Sequence, residues 1–312
     1  MGEVLAQADP VRVALATAMV GALYVIQAGR WRQIALSEGK TSHRTCIALV
    51  LSAVAVNNVV PGRPGEALRG FWLGRVLRIP VSRAFGTVLV DRVSDVLVLL
   101  VALLASVPFV EHPQWLRNIL LVGVVLGIVL SVGMVVAWWY ASRSRIGRAR
   151  AHDAAVERSR LRRQLSGLVR SVARIMSGRS LVLIIGMSAA SWLCAAAAAW
   201  LVAAALGLHI SIIEATFVTA VLNLGSVIPS SPGFIGTHQW LSIAALGLFA
   251  VDRSDAFAFS VVMQAIGIVP TTLVGGAVMA VIISRDPFRW RPETSTNEPE
   301  ASPALPSPQG PL

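Results

Sequence analysis

One element occurs twice in this chain, each time interrupting an apolar run, and it limits the fold more than any other feature. The first copy is Asn57-Asn58-Val59-Val60-Pro61-Gly62-Arg63-Pro64-Gly65-Glu66. The second runs from Asn223-Leu224-Gly225 through Pro229-Ser230-Ser231-Pro232-Gly233 to Gly236. Both read Asn, a short apolar run, then Pro-x-x-Pro-Gly. Proline lacks the backbone donor and glycine is unfavourable in a helix interior, so neither copy continues a helix. In a bilayer such backbone survives only where protein or a water-lined cavity satisfies it. Paired breaks in the two halves of a chain mark a transporter-type binding site.

The surroundings of the breaks make the bilayer relevant. The chain is 55% hydrophobic and only 14% charged, too apolar for an ordinary soluble domain. Apolar stretches fall at 13–29, 47–60, 84–110, 118–140, 181–206, 212–228, 238–251 and 256–283. Several exceed the ~20 residues that cross a hydrocarbon core. The expected class is an all-α polytopic membrane protein. It has about six to eight transmembrane helices, two of them broken or re-entrant, arranged as an inverted repeat. The first stretch reads as a retained span, because Glu3 and Asp9 precede it and no small-x-small cleavage site follows before Arg30.

Charge sets the orientation. The net charge of +11 comes from 26 arginines and one lysine, Lys40. The arginines sit in loops beside apolar spans, so positive-inside topology explains them better than nucleic-acid binding. Segment 141–180 holds eleven arginines against Asp153 and Glu157 and is expected in the cytoplasm. Segment 30–44, with Arg30, Arg32, Lys40 and Arg44, belongs on the same side, and so does 61–83. All three agree only if 47–60, roughly 21 Å of helix at 1.5 Å per residue, enters and returns. In the second half the basic residues after Ser284 place the tail in the cytoplasm and the Asp252–Asp255 loop outside. Segment 212–251 then turns back at Pro229–Gly236, although two short complete spans satisfy the charges equally well. The reading is a bacterial cytoplasmic (inner) membrane protein with its N-terminus outside and its C-terminus cytoplasmic.

Two units follow: a transmembrane domain over 1–284 and a Pro-rich disordered tail over 285–312. Within the basic loop, Leu161, Leu165, Leu168, Val172 and Ile175 form a stripe over 158–176. That pattern suits an interfacial amphipathic helix or a plain connector. Cys46 and Cys194 lack metal-ligand spacing and read as small core residues. No P-loop, dinucleotide fingerprint or metal cluster appears, so no cofactor or metal is expected.

Charges inside apolar segments are costly and are usually paired or functional. Thr87, Asp91 and Asp95 share one helix face at i, i+4 and i+8, and Arg92 can reach Asp95 at i+3. This intramembrane set of Asp91, Arg92 and Asp95 is either a locking ion-pair network or part of a polar path. Near the first break, Arg63, Glu66 and Arg69 stand out. A forked cation beside a glycine-rich helix start is what an anionic headgroup needs, so Arg63, Arg69 and Arg92 are candidate headgroup ligands, with Glu66 in the same site. Asn57, Asn58, Asn223, Ser230, Ser231, Gly233, Gly236 and His238 are candidates for the neutral part of that site. His238 beside serines lacks a nucleophile elbow and a third partner, so no catalytic residue is assigned.

With those residues in view, the chain resembles the flippase-like membrane family named for the transmembrane region of lysylphosphatidylglycerol synthases. The resemblance rests on three ordered elements. They are Pro61-Gly62-Arg63-Pro64-Gly65-Glu66-Ala67-Leu68-Arg69, Asp91-Arg92-Val93-Ser94-Asp95, and Pro229 to Gly236. Where the family often has Glu, this chain has Asp91 and Gln239. The resemblance implies lipid translocation, and similar stand-alone proteins look linked to hopanoid, glycolipid or polyprenyl-carrier pathways. Full-length synthases carry a soluble aminoacyl-transferase domain; this chain ends in a short tail, so aminoacyl transfer is not supported.

The expected function is therefore a membrane lipid translocase or lipid-handling protein for an anionic phospholipid, glycolipid or polyprenyl-linked lipid. Its expected partners are membrane lipids, with a lipid-synthesis or glycosyltransferase partner also fitting, and not nucleic acid. The competing classes are a membrane enzyme using Asp91, Asp95, Glu66 or His238 as base, and a non-catalytic scaffold.

Overall fold

The computed structural model describes residues 8–110, 178–225 and 231–285, with scattered helical positions between 121 and 136. Nearly all of the basic segment 141–180, its 158–176 stripe and the tail beyond Arg285 lie outside the described residues. Within them the chain is helical and contains no strand.

Eight α-helices are described: α1 (Pro10–Ala35), α2 (His43–Val59), α3 (Pro64–Leu77), α4 (Val81–Ser106), α5 (Gly178–Ala205), α6 (Ile212–Gly225), α7 (Thr237–Leu246) and α8 (Arg253–Arg285). Local chemistry starts them where the sequence allows. Asp9 accepts the Val11 N–H at 2.9 Å with Pro10 at the first helical position, and Ser42 accepts the Thr45 N–H at 3.0 Å. Each half follows one plan: a long helix, a short helix, a break, a second short helix, and a long helix.

The halves are antiparallel. The Asp9 N–H donates to the Ala205 carbonyl at 3.0 Å, while Arg30 Nη1 donates to Ser188 Oγ at 2.7 Å. The start of α1 therefore lies at the end of α5. Each pair of short helices folds back on itself. Leu77, the last residue of α3, packs on Gly39 just before α2, and Arg83 pairs with Glu38 at that same end. In the second half the ring of Phe249, just beyond α7, meets that of Phe217 in α6 edge-on at 5.7 Å. Since α1 and α5 run in opposite directions, the two hairpins enter from opposite ends of the bundle. This is the inverted arrangement expected from the paired breaks.

Among the described residues, three helices are long and apolar enough to cross a membrane: Pro10–Ala35, Ser180–Ala205 and Arg253–Ser284. Helix α4 matches α1 in length but carries Asp91, Arg92 and Asp95. Apolar side chains also point outward, with Val182 73% and Leu273 67% exposed, as a hydrocarbon solvent favours.

Helix α2 seats against two neighbours through glycines. A Cβ on Gly65 of α3 would strike the Ala53 carbonyl, and one on Gly275 of α8 would strike the Leu51 carbonyl. The hairpin α2–α3 is thereby held at backbone contact on both sides.

A polar cavity where the two breaks meet

The buried charges are organised around α4. Its face carrying Thr87, Asp91 and Asp95 is fully inside the protein. Arg30, at 1% exposure, reaches it from α1. Its Nε donates to Asp91 Oδ1 at 2.9 Å and its Nη2 to Asp95 Oδ2 at 3.0 Å. Its Nη1 bonds Asp95 and, at 2.7 Å, Ser188 Oγ of α5. Arg69 takes the other Asp91 oxygen through Nη2 at 2.7 Å and lies 4.5 Å over the Trp31 ring. Trp192 Nε1 donates to Asp95 Oδ1 at 2.8 Å. Each carboxylate thus receives several charge-assisted bonds, the condition under which a buried ion pair offsets its desolvation.

Arg92 faces elsewhere. Its Nε is 3.0 Å from Glu66 Oε1, and its Nη1 is 3.7 Å from Asp95 Oδ2. The pairing with Asp95 expected at i+3 is therefore the weaker of the two, and Glu66 of the first hairpin is the closer partner. Both Arg92 and Glu66 remain partly exposed, at 41% and 26% of their side chains.

The first break turns through two consecutive left-handed residues, Gly62 (φ 83°) and Arg63 (φ 56°). Left-handed backbone costs a non-glycine residue about 1–2 kcal/mol, so Arg63 sits there against its own preference. Helix α3 restarts at once with Pro64, and its Gly65 N–H is satisfied by Asn57 Oδ1 at 2.8 Å. Asn58 Nδ2 donates to Thr271 Oγ1 at 3.0 Å and Thr272 Oγ1 at 2.9 Å, tying the break to α8.

The second break uses the same device at Gly233 (φ 65°) and Phe234 (φ 59°). Neutral amides satisfy its backbone. Gln239 Oε1 accepts the Gly236 N–H at 2.6 Å, Gln239 bonds Gln264, and Gln264 Nε2 donates to the Gly233 carbonyl at 2.8 Å. His238 Nδ1 hydrogen-bonds Ser260 Oγ at 2.6 Å.

The two breaks touch. Gly233 packs on the Asn58 carbonyl, and the Arg63 guanidinium lies 5.1 Å from the Phe234 ring centroid. Between them is a cavity of about 270 Å³. Of the residues expected at a headgroup site, it is lined by Asn57, Asn58, Arg63, Arg92, Asn223, Gly233 and His238. Arg69 is placed in the ion network instead, Glu66 acts through Arg92, and the Ser231 hydroxyl donates to the Ile235 carbonyl. Gly236 serves the turn, and Ser230 lies outside the described residues.

Sequence reasoning missed several participants: Tyr24 and Gln27 of α1, Trp192 of α5, Phe234 and Gln264. Arg30 was assigned to a cytoplasmic loop; the structure corrects this, because α1 continues to Ala35 and buries it. A signal existed. Ala16, Leu23 and Arg30 recur every seven residues on the buried face of α1.

Residues 1–275 match the family described as the lysylphosphatidylglycerol synthase TM region. A UPF0104 membrane protein of Methanothermobacter thermautotrophicus is 25% identical over 303 residues, covering 89% of this chain and 87% of the relative. Two UPF0104 membrane proteins of Methanocaldococcus jannaschii are 23% and 22% identical. Those alignments cover 74% and 90% of this chain, and 95% and 87% of the relatives. With three ordered motifs, two opposed broken hairpins and a match along most of its length, this chain belongs to the lysylphosphatidylglycerol synthase transmembrane family of membrane proteins.

Proposed function

We propose that the protein binds an anionic lipid headgroup in the cavity between its two breaks and carries that lipid between leaflets. The single observation behind this reading is the sorting of the arginines. Arg30 and Arg69 are buried against Asp91 and Asp95, whereas Arg63 and Arg92, the latter also paired with the partly exposed Glu66, line the cavity. No carboxylate lines it among the described residues. A phosphate entering there meets forked cations and neutral amide donors, which replace the water it leaves behind. The strained backbone at Arg63 supports the same reading, since glycine would serve the turn alone at lower cost.

The charge distribution along the chain supports an orientation with the C-terminus in the cytoplasm, and the Arg-over-Lys, Ala-rich composition supports a bacterial cytoplasmic membrane as the location. The lipid class that fits is an anionic phospholipid, glycolipid or polyprenyl-linked lipid.

The test is reconstitution in liposomes with fluorescently labelled phosphatidylglycerol, following its accessibility from outside over time. Wild-type protein is expected to equilibrate the leaflets. Arg63→Gly and Arg92→Ala, at equal incorporation, are each expected to slow this at least tenfold, the effect of removing one charged hydrogen bond worth about 1.5–3 kcal/mol. Wild-type rates in both variants would overturn the assignment.

A further inference from the structure

A second cavity of about 240 Å³ adjoins the polar one, between α1, α2 and α8. On α1 the two cavities occupy neighbouring stripes of a single helix. Leu23 and Gln27 face the polar cavity, Thr17, Gly21 and Val25 face the second, and Val20 and Tyr24 form a ridge common to both. Helices α2 and α8 also contribute to both, α2 with Asn57 and Asn58 on one side and Ile47 and Leu51 on the other. Among the described residues, none that lines the second cavity is charged. A site with paired cations on one side of a ridge and hydrocarbon on the other has the polarity of a single amphiphile.

We propose that this apolar slot holds the first part of a hydrocarbon chain of the lipid whose headgroup occupies the polar cavity. The inference rests on the headgroup reading above and adds where the chain goes. The slot shares its ridge with the headgroup cavity and runs between the same three helices, so a chain leaving the headgroup passes Tyr24 into it. Burying methylenes there strengthens binding about fourfold each and selects lipids over water-soluble phosphates of the same head chemistry. Acyl and isoprenoid chains share this chemistry.

Gly21 provides the test. A Cβ built there meets nothing within 4 Å, so a side chain can start from this position at the edge of the slot, and leaving glycine favours the helix. Gly186 on α5 is likewise open but lies on neither cavity, so Gly186→Phe controls for added bulk. Two probes are used: glycerol 3-phosphate binding to purified protein, read by tryptophan fluorescence, and liposome translocation of labelled phosphatidylglycerol or labelled farnesyl phosphate. Gly21→Phe is expected to cut translocation at least tenfold, as losing about two buried methylenes would, while glycerol 3-phosphate affinity changes less than about twofold. Gly186→Phe is expected to leave both unchanged. Loss with only one of the two lipids supports the slot and identifies its chain type. Wild-type translocation in Gly21→Phe overturns the slot, as does an equal fall in both readouts. Failure of wild-type protein to bind glycerol 3-phosphate while still translocating lipid, with Gly21→Phe impaired, overturns the headgroup reading and leaves the slot standing.

Discussion

Arg30 follows an apolar run that ends at Gly29, and the next residues, Trp31 and Arg32, look like a membrane boundary. The helix instead runs to Ala35 and Arg30 faces inward, where it gathers Asp91, Asp95 and Ser188. Removing one member of a buried pair leaves the other uncompensated, at a cost of about 3–5 kcal/mol. Arg30→Ala is therefore expected to lower thermal stability in detergent severely, and Arg30→Lys to rescue it poorly, because an ammonium cannot serve two carboxylates as a fork does. Arg63→Gly belongs to a different class. It relieves left-handed strain of about 1–2 kcal/mol and loses a stacking contact of about 0.5–1 kcal/mol. Unfolding in detergent should show it as stable as wild type even though the proposed headgroup ligand is gone. A sequence shows that Asp91 and Asp95 need cations but not which of 26 arginines supplies them. Four helices converge on that answer, and local spacing encodes only one of them.

At the scale of the elements, the breaks themselves were legible. Proline and glycine act through the backbone wherever they occur, so the C-terminal end of α2 and the restart at Pro64 followed from residue type alone. Segment 47–60 read as too short to span, and its helix, His43–Val59, does turn back. Less legible was what holds the hairpins, because glycine contacts depend on which neighbour arrives. Gly65→Ala and Gly275→Ala should each lower folded yield by size-exclusion chromatography, since the new methyl meets the Ala53 or Leu51 carbonyl. Gly276→Ala, one residue on and open around its Cβ, should be neutral or stabilising by about 0.5–1 kcal/mol. The contrast between adjacent glycines isolates packing from helix propensity.

Across the whole molecule, the two halves share a plan but not a chemistry. The first hairpin is joined to its surroundings by ions, Arg69 to Asp91 and Glu66 to Arg92, beside the neutral bonds of Asn58 to Thr271 and Thr272. The second is held by amides and an imidazole, Gln239 with Gln264 and His238 with Ser260. Neutral hydrogen bonds are about half as strong as charge-assisted ones and cost less to exchange. Hydrogen–deuterium exchange is accordingly expected to be faster over 231–246 than over 60–77, and Gln239→Ala should speed the former without altering the latter. The sequence shows the charges at the first break and neutral residues at the second, but not the partners Asp91, Gln264 and Ser260 that turn this difference into two kinds of attachment. The mechanical consequence is a door with one leaf bolted to the frame and one leaf on a latch. The latched leaf is the one whose swing would expose the cavity to the other side. On the proposed translocase reading, a binder that pins α7 to α8 should therefore slow lipid equilibration in liposomes, while one that grips the first hairpin should leave it unchanged.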